Sequence, residues 1–202
     1  MRIRQHVNPL KSNFFRIPVE RLRFPPGLPV EVELGSAEAF FLMERAEEDP
    51  GRAYVGVEIR RGMAEAANAE SARRGLANVH CVFANLSVDL PRLFSPGSVS
   101  RFHLNFPDPW WKSRQHKRRV VSSGLVGDLR GLLAPSGELH VATDIFELAL
   151  EAMAALEGDP GFVSTTAPWS FLPHSPFGAK SRRQRQCEAE GVKIWRVAYR
   201  RS

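Results

Sequence analysis

The chain has 202 residues, 43% of them apolar, enough for one compact domain with a sizeable core and no need of a second. No apolar run reaches the roughly 20 residues of a membrane span, residues 1–16 lack the continuous apolar core of a secretory signal, and Cys81 and Cys187 have no metal-ligand spacing. A cytoplasmic protein with free thiols and no metal site is expected, and its charge of +6, with nine of the 28 Lys and Arg residues inside 112–119 and 180–185, suits a polyanionic partner.

Residues 1–29 mix prolines, basic residues and scattered aromatics without a period, and read as an N-terminal arm lying over a domain made by residues 30–202. From Val30, apolar runs of strand length alternate with helix-length segments: a strand at Val30–Leu34, a helix at Ala37–Glu48, a strand at Ala53–Ile59 and a helix at Met63–Gly75. Strands at Val79–Phe83 and Val99–Asn105, a helix at Val120–Leu133, a strand at Gly137–Thr143 and a helix at Asp144–Leu156 continue the rhythm. An α/β fold follows, Rossmann-like and doubly wound, with a mostly parallel sheet and helices on both faces. The alternation in Lys193–Tyr199 suits an antiparallel C-terminal edge strand, while Phe40, Phe41 and Leu42 read as helix core and His103 and His140 as core or sheet-end residues.

Open α/β sheets bind ligands at the carboxyl ends of their strands, near the point where strand order reverses. Glu33 stands before Gly35 at the end of the first strand, and Glu58 ends the second, where a carboxylate can accept from both ribose hydroxyls or simply be a solvated strand end. The arrangement resembles the S-adenosylmethionine site of class I methyltransferases. NAD is the rival ligand, but Glu33 and Glu38 would repel its pyrophosphate and favour a sulfonium and an ammonium.

The most unusual stretch is Asn105-Phe106-Pro107-Asp108-Pro109-Trp110-Trp111-Lys112, which runs into Ser113-Arg114-Gln115-His116-Lys117-Arg118-Arg119. Pro107 and Pro109 fix φ and lack an amide hydrogen, so Asp108 is displayed rather than packed. Indoles can stack on a base, and Lys112, Arg114, Lys117, Arg118 and Arg119, with His116 beside them, can neutralise phosphates. The plainer alternatives are that Asp108 caps a turn and that the basic run is a solvated face.

This stretch resembles the signature of the tRNA (guanine-N7)-methyltransferases, and the resemblance extends over about Val30–Arg200. It implies S-adenosylmethionine as cofactor, held by Glu33, Gly35, Glu58, Asn85 and Asp108, with tRNA as partner and a guanine of the variable loop as target. Asn85 stands where the family has aspartate, and an amide can still accept from the adenine amino group. Lys112 and Asp144 match substrate-side positions, and Ser181-Arg182-Arg183-Gln184 replaces a Thr-x-x-Glu, assigning Ser181 and Gln184 to the guanine. Lys180, Arg182, Arg183 and Arg185 would form a second basic edge. Ala37 and Ala39 stand where the family has glycines, and if either adopts φ > 0 its methyl costs about 1 kcal/mol.

Guanine N7 carries a lone pair at neutral pH, so its methylation needs positioning and electrostatic support rather than a base, and Asp108 is the candidate catalytic residue. Two alternatives stay open: a degenerate homologue that binds RNA with weak or no methyl transfer, and an enzyme that has moved to another substrate. A monomer, a homodimer and a requirement for a partner subunit are all compatible with the sequence.

Overall fold

In the computed structural model, which describes residues 8–108 and 121–202, strands and helices alternate from Val30 onward. They are β1 Val30–Leu34, α1 Phe40–Glu48, β2 Ala53–Glu58, α2 Arg61–Arg73, β3 Val79–Phe83, α3 Leu86–Leu93, β4 Val99–Asn105, α4 Ser123–Leu132, β5 Leu133–Thr143, α5 Phe146–Glu157, β6 Phe162–Ser164, α6 Arg182–Ala189 and β7 Trp195–Arg201. The strands form one sheet in the order β3-β2-β1-β4-β5-β7-β6. The first five run parallel, and β7 pairs antiparallel with both β5 and β6.

The alternation of β1 sorts its side chains between the two faces. Val30, Val32 and Leu34 join Leu90, Leu93, Phe102, Leu125, Leu129 and Met153 in the larger core, against α3, α4 and α5. Burial of each such side chain stabilises the fold by about 1.5–3 kcal/mol. Tyr54, the β2 residue facing the other way, packs with Phe41, Leu42, Met43, Ala64 and Ala67 of α1 and α2. Glu31 and Glu33 lie on this second face, both buried.

The element boundaries depart from expectation where local signals conflict. α1 begins at Phe40 rather than Ala37, because Ala37 (φ 49°) and Ala39 (φ 54°) are left-handed. The helix expected at Met63–Gly75 is Arg61–Arg73, that at Asp144–Leu156 is Phe146–Glu157, and α4 starts at Ser123 with the Ser122 hydroxyl capping Leu125 N–H, Val120 lying outside the described residues. Turn-like Pro135-Ser136-Gly137 lies inside β5 at a register shift opposite Val99 and Arg101, a bulge in which Ser136 has φ 61°. α3, which contains Pro91, and α6, in the proline-rich tail, were not anticipated. β7 is antiparallel as expected, and the three-residue β6 lies outside it at the sheet edge.

The described part of the N-terminal arm crosses α3. Leu22 N–H donates to Leu93 O at 2.8 Å, Arg21 donates to the carbonyls of Pro91 and Phe94, and Ile17 is buried.

Candidate active site

Strand order reverses between β1 and β4, and there the carboxyl ends of β1, β2 and β4 open onto a cavity of about 330 Å³. Its lining includes Glu33, Gly35, Ala37, Glu58, Asn85 and Asp108. After Leu34 the chain turns at Gly35, whose φ of 75° favours glycine. The turn is pinned to β2, with Gly35 N–H donating to Val57 O at 2.8 Å. Beneath it Gly56 must also be glycine, because a Cβ there would lie 2.4 Å from Ser36 Oγ and 2.7 Å from Cys81 Sγ. Ala37, Ala39 and Phe106, all lining the cavity, adopt positive φ without being glycine, so backbone strain is concentrated around it.

Glu33 is 3% exposed. Asn105 Nδ2 donates to its Oε1 at 2.9 Å, while its buried Oε2 has no hydrogen-bond partner among the described residues. Burial, reinforced by the nearby charge of Glu58 and opposed by Asn105, pushes the carboxyl up to about 8, so at neutral pH it is held mainly as the acid. A cation entering the cavity would satisfy the orphaned oxygen and favour the ionised form.

Glu58 is more fully engaged. Its Oε2 accepts from Ala37 N–H at 2.8 Å and Arg60 Nη2 at 3.0 Å, and its Oε1 from Arg60 N–H at 2.9 Å and Arg60 Nε at 2.7 Å. A carboxylate offers about four lone-pair sites. A ribose hydroxyl therefore competes with the Arg60 guanidinium, which this hydrogen bonding to Glu58 holds above its ordinary range with help from the charges of Asp108 and Glu38.

Asn85 lines the same cavity but its amide serves the protein. Its Oδ1 accepts from Ser87 N–H at 3.1 Å, capping α3, and its Nδ2 donates to the carbonyls of Pro9 at 3.0 Å and Phe14 at 3.4 Å. Pro9 thereby becomes part of the cavity wall. Asp108, half-buried on the loop after β4, touches this cavity and a small crevice against Thr143 and Leu148, so it stands between the main pocket and α5.

The residues assigned to the substrate separate. Ser181 lies at the main cavity, where its hydroxyl caps α6 by accepting from Gln184 N–H at 3.1 Å. The Gln184 side chain is buried, donates to Glu188 at 2.9 Å and faces a second, much smaller cavity with His103, His140 and Phe177. Asp144 is paired with Arg183 at 2.5 Å. The rest of the expected basic edge is also paired: Arg182 with Glu38, Arg185 with Glu44 and Lys180 with Glu188. Lys112, Arg114, His116, Lys117, Arg118 and Arg119, with Trp110 and Trp111, lie outside the described residues.

Sequence reasoning missed Arg60, Asn105 and Pro9 as parts of the site, and missed a buried network beneath it. Glu31 accepts from His103 Nε2 at 2.9 Å, Arg101 Nη1 at 2.7 Å and Arg45 Nη2 at 3.1 Å. Burial would raise the Glu31 carboxyl, but His103 and Arg45 hydrogen bonds and the Arg101 charge outweigh it and hold the group well below the usual range. Burial pulls His103 down to about 4 despite Glu31, leaving a neutral imidazole that donates its Nε2 hydrogen. Alternating polar residues in two neighbouring strands, Glu31 and Glu33 against Arg101, His103 and Asn105, are the signal that could have revealed the network.

Among the described residues, no group of three or more His, Cys, Asp or Glu side chains could hold a metal ion, and no helix is long and apolar enough to cross a membrane.

The family described as "Putative methyltransferase" matches residues 28–197. The tRNA (guanine-N(7)-)-methyltransferase of Synechococcus sp. (strain JA-3-3Ab) is 40% identical over 200 residues, covering 96% of this chain and 84% of that protein. Its counterpart in Anaeromyxobacter dehalogenans (strain 2CP-C) is 39% identical over 182 residues, 90% of each chain. Among solved structures, the 16S rRNA methyltransferase KamB superposes with a TM-score of 0.60 at 17% identity, over 86% of this chain and 88% of that one. TrmN from Thermus thermophilus gives 0.58 at 19%, over 87% and 45%. At these identities the likeness of the structures is one of fold.

Proposed function

The chain belongs to the tRNA (guanine-N7)-methyltransferase family, and on that premise we propose that it transfers a methyl group from S-adenosylmethionine to N7 of a guanine in the tRNA variable loop. The observation that carries this reading is the orphaned, buried oxygen of Glu33, a residue that lines the cavity at the strand-order reversal. An ammonium suits that oxygen, and a pyrophosphate does not. Glu33 would hold the amino-acid end of the cofactor, the Gly35 turn would bring backbone close to it, and Glu58 would accept from its ribose once Arg60 yields. Bound S-adenosylmethionine supplies an electrophilic methyl group on a sulfonium.

The remaining chemistry belongs to the protein. Asp108, which lines the cavity on the loop after β4, is the candidate group for stabilising the positive charge that develops on the guanine ring. N7 bears a lone pair at neutral pH, so no residue needs to remove a proton, and rate enhancement rests on positioning and on water exclusion. Ser181, which also lines the cavity, and Asp144, held by Arg183, are substrate-side candidates. The basic segment 112–119 is the candidate phosphate contact.

The test is transfer of labelled methyl from S-adenosylmethionine to unmodified tRNA transcripts, followed by chemical cleavage at 7-methylguanine. Cleavage in the variable loop, lost in Asp108→Ala with tRNA affinity kept, is the expected result. Absence of label from folded protein would refute the reading, and label at another position would refute the choice of target.

A further inference from the structure

Beyond the main cavity, the same rim of the sheet carries an aromatic cluster with no role in the reaction described above. Phe146 opens α5, Trp195 opens β7, and Phe171 comes from the loop between β6 and α6. Ring centroids are 4.6 Å apart for Phe146 and Trp195, 4.9 Å for Phe171 and Trp195 and 6.2 Å for Phe146 and Phe171. Three large rings in contact would ordinarily be core, yet Phe146 is 42% exposed, and Leu150, one turn further along α5, is 41% exposed. Trp195 and Phe171, both half-buried, back the Phe146 ring.

Two further observations point to the occupant. Lys193 Nζ lies 3.9 Å from the centroid of the Trp195 ring. Among the described residues it has no carboxylate in ion-pair range, whereas Lys180, Arg182, Arg183 and Arg185 on the same rim are each paired. The cluster is also continuous with the candidate active site. Trp195 pairs in register with Thr143 at the carboxyl end of β5, and Asp144, two residues before Phe146, is bridged to Arg183, which lines the main cavity. An exposed aromatic face beside an unpaired cation suits a nucleotide, by stacking on the base and charge neutralisation of its phosphate. An enzyme that draws one base out of an RNA leaves neighbouring bases without their stacking partners, and such a platform supplies one.

We propose that Phe146, backed by Trp195 and Phe171, is a stacking platform for a tRNA base other than the target guanine, with Lys193 neutralising an adjacent phosphate. This surface rests on the reading of the protein as a tRNA methyltransferase. It is independent of the cofactor cavity, so its loss acts on tRNA affinity and not on S-adenosylmethionine affinity.

The experiment compares wild type, Phe146→Leu, Phe146→Tyr and Lys193→Gln in tRNA binding at several salt concentrations, with calorimetry for S-adenosylmethionine and steady-state methyl transfer alongside. Phe146→Leu keeps the apolar bulk and loses the aromatic plane, so its tRNA Kd and KM should rise about tenfold with kcat and cofactor affinity unchanged. Phe146→Tyr should stay within about twofold of wild type, since it keeps the plane. Lys193→Gln should lower the slope of log K against log salt by about one. Equal tRNA binding by wild type and Phe146→Leu overturns the platform, as does equal damage by tyrosine and leucine, and a change in self-association or protein binding with tRNA affinity intact assigns the face to a protein instead. A wild-type protein that transfers no methyl to tRNA contradicts the parent reading, whereas active wild type with indifferent variants contradicts only the platform.

Discussion

Replacing Ala37 with glycine should stabilise the protein, and replacing Ala39 should not, although both residues have left-handed backbones with φ of 49° and 54°. An L-residue there forfeits about 1–2 kcal/mol. Glycine relieves that strain but gives up about 0.4–1 kcal/mol of unfolded-state entropy, leaving a net gain of about 0.5–1 kcal/mol. Ala37 is half-buried, so its methyl contributes little else. Ala39 is 1% exposed inside the core beneath α1 and α2, where losing a methyl costs about 0.8 kcal/mol and cancels the gain. Guanidinium denaturation of both single variants measures this directly, and Ala37→Gly should raise Tm by about 2–3 °C with an unchanged m value. Destabilisation by Ala37→Gly, or an equal gain from Ala39→Gly, would refute the assignment of strain to this loop.

The Glu33 carboxyl titrates at about 8 in the folded chain against 4.5 for the free group, so below pH 4.5 both states hold the proton, between the two values only the folded state does, and stability falls as pH rises across that window. Glu33→Gln should flatten this fall in urea melts without cofactor, and S-adenosylmethionine binding near pH 7, followed in buffers of different ionisation enthalpy, should release close to one proton in wild type and none in the variant. Asn85→Asp keeps a helix cap but cannot donate to Pro9 and Phe14, so residues 8–17 should become more sensitive to limited proteolysis while Tm changes little; unchanged protection would contradict the tether. Glu31→Gln leaves Arg45 and Arg101 short of a buried counter-charge and should cost about 3–5 kcal/mol in chemical denaturation, and a loss below about 1 kcal/mol would show that the network is not holding the sheet.

The gathering of Glu33 and Glu58 at one cavity was legible because its signals are local. Glu33 and Glu58 end adjacent parallel strands, and period and register alone bring them to one rim. Ala37 and Ala39 stand where the resembling family has glycines, and the backbone is left-handed at both. What escaped notice depends on partners distant in sequence. Nothing near Asn85 announces Pro9, 76 positions away, or reveals that Arg60 fills the acceptors of Glu58. Ser181-Arg182-Arg183-Gln184 illustrates a different failure. Read as a substrate motif, it is also a serine N-cap followed three residues later by glutamine, the signature of a helix start, and that signature would have revealed α6. Pro91 hid α3 because a proline reads as a break, although Asn85 and Asp89 at the helix start were in view.

The two-faced pattern of β1 also bears on how the chain avoids misfolding. β1 is the central parallel strand between β2 and β4, formed by pairings between residues far apart in sequence, the kind of assembly most exposed to slipping during folding. A slip of one residue would turn Glu31 and Glu33 into the apolar layer of Phe102, Leu129 and Met153 and strip Glu31 of its three cationic and imidazole donors. Two uncompensated carboxyls in hydrocarbon cost several kcal/mol each, a large share of a typical domain's whole stability, so Glu31 and Glu33 also lock the strand in register.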